Sequence, residues 1–299
     1  MAISSVRAQV NGTWYNLTYN SSTGAYTASI PAPGTTSYNR TGKYYNVVVE
    51  ATNTAGTKTT VDGSTLTSLQ LKVKETVKPV ITIKSPAKGA YLTTSTPTIT
   101  IEVVDESGGS GVNMNSFSLK VDSTTVASSA YTKTVITNGV KITYTPAALA
   151  DGSHTITVNC SDNDGNAATA ATSTFIVDTV PPTLNVTAPG EGSVANVSKV
   201  TVSGTTNDAT SSNVTVKITV NGTDQGSVTV ATNGSFSKEV TLTEGSNSIV
   251  VTATDAAGKA SVVSRTVTLD TSAPVIQSAS VSPNPVNTGA TMIITVVVE

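Results

Sequence analysis

The sequence predicts an all-β protein built from tandem β-sandwich domains. Apolar residues alternate with polar ones over short stretches, as at Ile99, Ile101 and Val103 and again at Val200 and Val202. Turns rich in Gly, Pro and Asn recur at intervals of about ten residues. Alternation with a period of two between frequent turns is typical of half-buried strands in sandwiches. No run shows helical periodicity beyond a turn or two.

One hairpin pattern occurs three times and defines the repeat. Its turns contain Gly56, Gly165 and Gly258, each between an alternating apolar strand and a more polar one. Downstream of each hairpin lies an acidic residue, then Thr, then Pro three residues after the Thr, at 75–79, 178–182 and 270–274. Repeats of this size fit one sandwich domain of about 100 residues each.

The ends of the chain do not match complete repeats. The N-terminal segment aligns with the third repeat at a constant offset of 210 residues, so that Val6 corresponds to Val216 and Gly12 to Gly222. On this alignment the first domain lacks its opening two strands, and the last residues resemble that missing pair. We therefore predict an incomplete sandwich at 1–77, complete sandwiches at 78–180 and 181–272, and a two-strand donor segment at 273–299.

These features resemble the bacterial immunoglobulin-like (Big) domains of surface and phage structural proteins. The resemblance covers nearly the whole chain and rests on the Ala-Thr-Asp-x-Ala-Gly-Lys hairpin at 253–259 and on the Asp-Thr-x-x-Pro junctions. It implies tandem immunoglobulin-like sandwiches, a fold that serves adhesins, spacers, enzyme appendages and virion parts alike. The Ser/Thr-rich style and the stretch 281–289 are most similar to phage virion or tail-associated proteins of phages that infect Firmicutes.

The sequence gives little support for catalysis, and we expect no enzyme, no catalytic residue and no cofactor-binding residue. The single histidine, His154, aligns with Asn247 in a turn, and no nucleophile lies in a recognisable motif. The single cysteine, Cys160, aligns with Ala51 and Ala253, which predicts a small buried core residue. A net charge of −2 without a basic cluster argues against nucleic acid.

We expect no metal site, and calcium binding by acidic residues is the alternative. Asp162, Asp164 and Asn166 resemble a calcium loop, yet Cys160 occupies the first ligand position and no Glu follows at the twelfth. That pattern favours a hairpin turn held by local hydrogen bonds. Calcium could also stiffen the domain junctions, which lie near Asp105, Glu106, Asp178 and Asp270.

Neither a secretory signal nor a membrane-spanning segment is predicted. The first residues lack a basic region followed by an apolar stretch, and no segment approaches about eighteen apolar residues. We expect a virion or extracellular protein, because a virion protein leaves the cell by lysis and needs neither feature. A fragment with trimmed ends is the alternative.

The incomplete ends predict assembly of copies head to tail by β-strand complementation. An isolated apolar pair of strands is marginally stable and prone to aggregate, and a sandwich without two strands leaves its interior uncovered. Pairing one copy's tail with the next copy's head resolves both problems and yields a filament or a ring. The predicted donor residues are Ile276, Met292, Ile294, Val296 and Val298. The predicted acceptor residues are Val6, Ala8, Val10, Val47, Val49 and Ala51.

Two other functions are compatible with the sequence. Trp14 and six of the nine tyrosines lie in the first domain, where exposed aromatic rings could hold a cell-surface glycan. Tyr26 aligns with Phe236, and Tyr45 is an even number of residues from Val49 and so points to the same side of the strand. Both observations favour core or interface packing. The other alternative is a passive spacer from a larger surface protein. Other copies of the chain are thus the expected partners, with glycan as an alternative and neither nucleic acid nor membrane.

Overall fold

The computed structural model describes residues 2–299 and is built from β-strands. Its contacts divide the chain into two compact units, one ending at Asp178 and one running from Thr179 to Glu299. The described residues contain no α-helix, and their only helical turns are 3-10 turns at Thr41–Lys43 and Thr67–Leu69. No helix in this range could span a membrane. The predicted all-β class with tandem β-sandwiches is confirmed.

The first unit opens with a single five-stranded sheet, which we call the N-terminal sheet. The strands of residues 2–77 are β1 (Ile3–Val10), β2 (Thr13–Asn20), β3 (Ala25–Thr27), β4 (Tyr45–Asn46), β5 (Val48–Asn53), β6 (Lys58–Val61) and β7 (Gln70–Leu71). The order in the sheet is β3-β2-β1-β5-β6, and all neighbours are antiparallel. Strands β4 and β7 form a separate small ladder.

An Asn-Gly turn sets the geometry of the first hairpin. Asn11 and Gly12 join β1 to β2, and both have positive φ, at 48° and 83°. A two-residue turn with two left-handed residues matches the right-handed twist of the flanking strands. Asn221 and Gly222 repeat this turn in the second unit, with φ of 50° and 81°.

The rest of the first unit is a complete sandwich, the second sandwich. Its strands are β8 (Val80–Ser85), β9 (Tyr91–Leu92), β10 (Ile99–Val104), β11 (Val112–Val121), β12 (Thr124–Thr125), β13 (Thr132–Ile136), β14 (Gly139–Tyr144), β15 (Gly152–Asp162) and β16 (Ala171–Val177). One sheet has the order β13-β14-β10-β8 and the other β12-β11-β15-β16-β9. Alternate residues such as Ile101 and Leu119 come from opposite sheets and are fully buried in one core.

The second unit begins with the third sandwich. Its strands are β17 (Thr183–Ala188), β18 (Ser193–Ala195), β19 (Lys199–Asn207), β20 (Thr215–Val220), β21 (Thr223–Asp224), β22 (Ser235–Thr241), β23 (Gly245–Thr254) and β24 (Ala260–Leu269). A sheet of order β17-β19-β22 faces one of order β18-β24-β23-β20-β21. Val202 and Ile218, one from each sheet, are fully buried between them.

Two further strands, β25 (Ile276–Ser282) and β26 (Ile293–Val298), pair only with each other. We call this two-stranded sheet the C-terminal hairpin. Like β8 and β17, the first strand of the hairpin is followed by a cis X–Pro peptide bond, at Ser282–Pro283. Every residue from 270 to 299 is exposed.

Replacing Gly204 by Ala should destabilise the third sandwich by about 1–3 kcal/mol. A Cβ atom on Gly204 would lie 2.2 Å from the Asn185 carbonyl oxygen and 2.7 Å from the Phe236 ring. The measurement is differential scanning calorimetry. Gly190→Ala is the matched control, because its Cβ would have no atom within 4 Å. Equal unfolding temperatures for the two variants would contradict this packing.

Candidate assembly surfaces

One face of the N-terminal sheet is apolar. The antiparallel register places Val6 directly opposite Leu17 on one side and Ala51 on the other. Directly opposed residues in an antiparallel pair point to the same face. Extending this register gives the N-terminal apolar face, which consists of Val6, Ala8, Val10, Tyr15, Leu17, Val49, Ala51 and Val61.

The opposite face of the same sheet is polar. Glu50 accepts a hydrogen bond of 2.9 Å from Arg7 and one of 3.1 Å from Lys58. The hydrogen bond from Arg7, followed by that from Lys58, holds the pKa of Glu50 below its ordinary value. The Arg7 guanidinium also lies 4.2 Å from the centre of the Trp14 ring. The sheet is thus amphipathic, with its charged residues on one side only.

The N-terminal apolar face is covered only in part, since Ala8 and Val10 are buried and its other members are half-buried. Three apolar residues of segment 2–77 are buried, namely Ala8, Val10 and Tyr45, against thirteen in the core of either complete sandwich. Val49 and Ala51 are half-buried, whereas their counterparts Val251 and Ala253 are fully buried. In the third sandwich the covering layer is the β17-β19-β22 sheet. Segment 2–77 has no sheet of that kind, and its β3 pairs with β2 instead.

The C-terminal hairpin has an apolar face of its own. Val281 lies opposite Ile294, and Ala279 lies opposite Val296. The other face is more polar, with Ser280 opposite Thr295. The large apolar side chains of the two strands are 42–66% exposed. The hairpin apolar face consists of Ile276, Ala279, Val281, Ile294, Val296 and Val298.

The structure brings most of the predicted donor and acceptor residues together on these two faces. Met292 is the exception among the donors, since it precedes β26 and is 50% exposed. Val47 is the exception among the acceptors, because it lies between β4 and β5 and its N–H donates to the Leu69 carbonyl at 3.0 Å. Sequence reasoning had extended both strands past the points where their ladders end.

Sequence reasoning missed several members of both faces. Tyr15 and Leu17 alternate with polar residues along β2, and this alternation was a usable signal. Val61 is found only through its pairing with Val49. On the hairpin, Val281 is absent from the predicted donor residues, although pairing with Ile294 puts it on the same face.

His154 lies in a buried structural hydrogen-bond network. Its Nδ1 lies 2.9 Å from the Asp122 carboxylate and its Nε2 lies 2.8 Å from the Ala150 carbonyl. Both partners are acceptors, so both ring nitrogens donate only when the imidazole is protonated. Burial opposes the charge, but these two hydrogen bonds outweigh it and raise the pKa of His154. In the third sandwich Asn221 and Asn247 occupy the same two places, with Nδ2 of Asn221 donating to Asn247 at 3.0 Å.

The other residues singled out in the sequence lie in the core, in a turn or on the surface. Cys160 is buried in the second sandwich, and this burial raises the pKa of its thiol. Asp162 closes its hairpin turn by accepting hydrogen bonds from the N–H groups of Gly165 and Asn166, at 2.6 and 2.8 Å. Among the aromatic residues, Tyr45 is 2% exposed, while Trp14 is 38% exposed. The first segment therefore has both core and surface aromatic rings.

Comparison with known proteins assigns two ranges of the chain to families. Residues 90–179 match the family described as bacterial Ig-like domain, and residues 182–271 match domain B of glucodextranase. The match to the bacterial Ig-like domain lies within the second sandwich, and the match to domain B of glucodextranase lies within the third. A search of curated proteins found no match.

Solved structures with similar folds include tandem modules of other proteins. One is the fibronectin(III)-like modules of Clostridium thermocellum CbhA, with 20% identity, 64% of this chain and 94% of that chain covered, and a TM-score of 0.40. Another is domains A168–A170 of titin, with 16% identity, coverage of 89% and 88%, and a TM-score of 0.42.

The stability of the second sandwich should fall as pH rises through the pKa of His154. A group whose pKa is raised on folding stabilises the fold fully below its unfolded pKa, about 6.5 for His. This contribution is lost as the pH rises above the folded pKa. The chain has one histidine, so an NMR titration reads the pKa of His154 without ambiguity.

Calorimetry between pH 6 and 8 tests the associated change in stability. Replacing the pair with Asp122→Asn and His154→Asn installs the asparagine pair of the third sandwich and should abolish the pH dependence. A His154 pKa at or below the ordinary value would contradict the assigned network.

Proposed function

We propose that the chain is a non-enzymatic structural protein whose copies join head to tail. In this assembly the C-terminal hairpin of one copy covers the N-terminal apolar face of the next. The observation that carries the proposal is the hairpin itself, a two-stranded sheet whose apolar face is exposed. Exposed contiguous apolar surface marks interaction sites in proteins that stay in solution. We place the assembly in a phage virion or an extracellular fibre, because proteins of these kinds use domains similar to those of this chain.

The third sandwich supplies a template for the proposed contact. There β17 and β19 form an antiparallel pair, and β19 pairs with β22 along its length. The hairpin has the same two-stranded antiparallel form. With the offset of 210 residues, β22 corresponds to 25–31, of which only β3 is a strand. We propose that β26 of a neighbouring copy pairs with this segment and extends the strand.

Burial of the hairpin apolar face alone reaches only the lower end of the free-energy cost of association. Five large side chains of the hairpin apolar face are about half exposed, so their complete burial contributes roughly 1 kcal/mol each, or about 5 kcal/mol. The entropic cost of association is about 4–15 kcal/mol. Burial of Val6, Val49 and Ala51 adds to the gain, and new ladder hydrogen bonds contribute about 0.5–1.5 kcal/mol each. The contact is therefore favourable only if both the faces and the backbone ladder are engaged.

Replacing Ile294 by Lys should abolish assembly, because a charge on the hairpin apolar face would be buried without a partner. Thr295→Lys is the matched control, since residue 295 lies on the other face of the same strand. The measurement is the molar mass by light scattering across a hundredfold range of protein concentration. Wild type and the Thr295 variant should form large species, and the Ile294 variant should be a monomer.

Mixing two defective variants tests the direction of the contact. Val6→Lys blocks the acceptor and leaves the hairpin intact, whereas Ile294→Lys does the reverse. Each variant alone should be a monomer, and an equimolar mixture should form dimers and nothing larger. Monomeric wild type at every concentration would overturn the proposal and favour a passive spacer. A monomeric wild type whose hairpin amides are protected from hydrogen exchange would also overturn the proposal. That result would indicate that the hairpin pairs with the N-terminal sheet of its own chain.

Glycan binding is a second candidate, and the exposed Trp14 ring on the polar face favours it. Trp14→Ala should then abolish binding to surface polysaccharide on a glycan array, because one exposed ring would carry the stacking. Tyr91→Ala is the control, since Tyr91 is equally exposed, at 40%, but lies in the second sandwich. If wild type binds no glycan, this candidate is discarded.

A further inference from the structure

Three carboxylates from separate parts of the first unit meet at one place. Glu75 follows β7, Asp105 follows β10, and Asp162 is the last residue of β15. One carboxylate oxygen from each lies within 4.8 Å of the others. Glu75 belongs to the segment that leads from the N-terminal sheet into the second sandwich, whereas the other two belong to the sandwich. The cluster thus connects two parts of the unit.

The cluster contains buried oxygen atoms that have no hydrogen-bond partner. Asp105 is 3% exposed, and its Oδ1 accepts no hydrogen bond from any residue in the range 2–299. Oε2 of Glu75 and Oε2 of the neighbouring Glu106 are buried and unpartnered in the same way. Leaving a buried charged group unsatisfied costs more than about 1–3 kcal/mol. Several such atoms side by side form a place where a bound cation would be stabilising.

The remaining oxygen atoms of these carboxylates are held by backbone groups. Gly111 donates its N–H to Oδ2 of Asp105 at 2.7 Å, and Ser110 donates its N–H to Oε1 of Glu75 at 2.5 Å. One oxygen of Asp105 and one of Glu75 is thereby fixed, while the other has no partner. In Asp162 both oxygens accept hydrogen bonds, Oδ1 from the N–H groups of Gly165 and Asn166 and Oδ2 from the Asn166 side-chain amide at 2.7 Å. The three carboxylates are therefore held in place before any ligand binds.

Protein cations do not neutralise the cluster. No Lys, Arg or His side chain in the described part of the chain forms an ion pair with Glu75, Asp105, Glu106 or Asp162. Lys74 is nearby, but it donates to the backbone carbonyl of Asp164 at 3.2 Å. The carboxylate cluster therefore has no protein cation among residues 2–299 to balance its negative charge.

We propose that Glu75, Asp105 and Asp162 bind a divalent cation, with Ca²⁺ as the best fit, and that Glu106 completes the carboxylate set. All candidate ligands are oxygen atoms on loops and strand ends, which suits the flexible coordination of Ca²⁺ better than the strict octahedron of Mg²⁺. Gly109 leaves room for this set, since a Cβ there would lie 2.8 Å from both Oδ2 of Asp105 and Oε1 of Glu106. The bound ion would tie the segment holding Glu75 to the second sandwich.

Calorimetric titration of CaCl₂ into chelator-treated full-length protein tests the proposal. Wild type should bind one more equivalent of Ca²⁺ than Asp105→Asn, and Glu75→Gln should bind that equivalent at least about tenfold more weakly. Glu102→Gln is the control, because Glu102 is ion-paired with Lys84 at 3.1 Å outside the cluster. MgCl₂ in place of CaCl₂ should bind more weakly.

A second measurement separates ion binding from a purely structural role. Without calcium, Asp105→Asn should unfold at a higher temperature than wild type, because it removes one of several like charges. With calcium, wild type should gain thermal stability and the variant should not. Equal Ca²⁺ stoichiometry in wild type and Asp105→Asn overturns the proposal. A wild-type melting temperature that does not change with Ca²⁺ also overturns the proposal. That result would indicate that the carboxyl groups share a proton instead of binding a cation.

Discussion

The large β-sheets of residues 2–299 each have an apolar face, and in both complete sandwiches a second sheet covers that face. This constraint follows from the period of two along each strand, which puts alternate side chains on the same side. In the second sandwich Ile101 and Leu119 meet from opposite sheets, and in the third Val202 and Ile218 do the same. Both sandwiches have cores of thirteen buried apolar residues because each supplies both layers.

The two places where the constraint is not met are complementary. The N-terminal sheet has the strands that correspond to β20, β23 and β24 but no counterpart of β17 and β19. The C-terminal hairpin consists of one antiparallel pair and no opposing layer. In the proposed assembly, the hairpin of one copy would supply the layer that the N-terminal sheet of the next copy lacks. This structural match, more than the area of either surface, would be the physical basis of strand complementation.

Much of this organisation could be predicted from the sequence, because alternation and turn chemistry are local. The offset of 210 residues placed Asn11-Gly12 on Asn221-Gly222, and both form the same left-handed turn. The exact bounds of strands were harder to predict. Val47 and Met292 show why, because the alternation in sequence begins before the strands β5 and β26 do. The pairing of β3 with β2 could not be predicted from the alignment, since β22 pairs with β19.

The carboxylate cluster lay further still beyond sequence reasoning. Asp105 and Glu106 were noted near a junction, but Glu75 and Asp162 approach Asp105 only through the packing of loops. Asp162 belongs to a stretch that resembles a calcium loop, but no pattern in the sequence connects it to Glu75 or Asp105. What distinguishes them is the burial of oxygen atoms that have no donor, and burial is a property of the folded chain.

The segment that holds Glu75 would link the proposed head-to-tail contact to the proposed cation site. A head-to-tail contact repeats the same rotation at each copy, and its regularity decides whether a filament or a ring grows evenly. In the proposed assembly the neighbouring copy binds the N-terminal sheet. The angle between this sheet and the second sandwich therefore contributes to the rotation between each copy and the next. Glu75 lies on the connection between the two. A cation that joins Glu75 to Asp105 would fix that angle, whereas the bare cluster of like charges would loosen it. The hairpin would thus determine whether copies associate. The cation would determine how uniform the rotation between successive copies is.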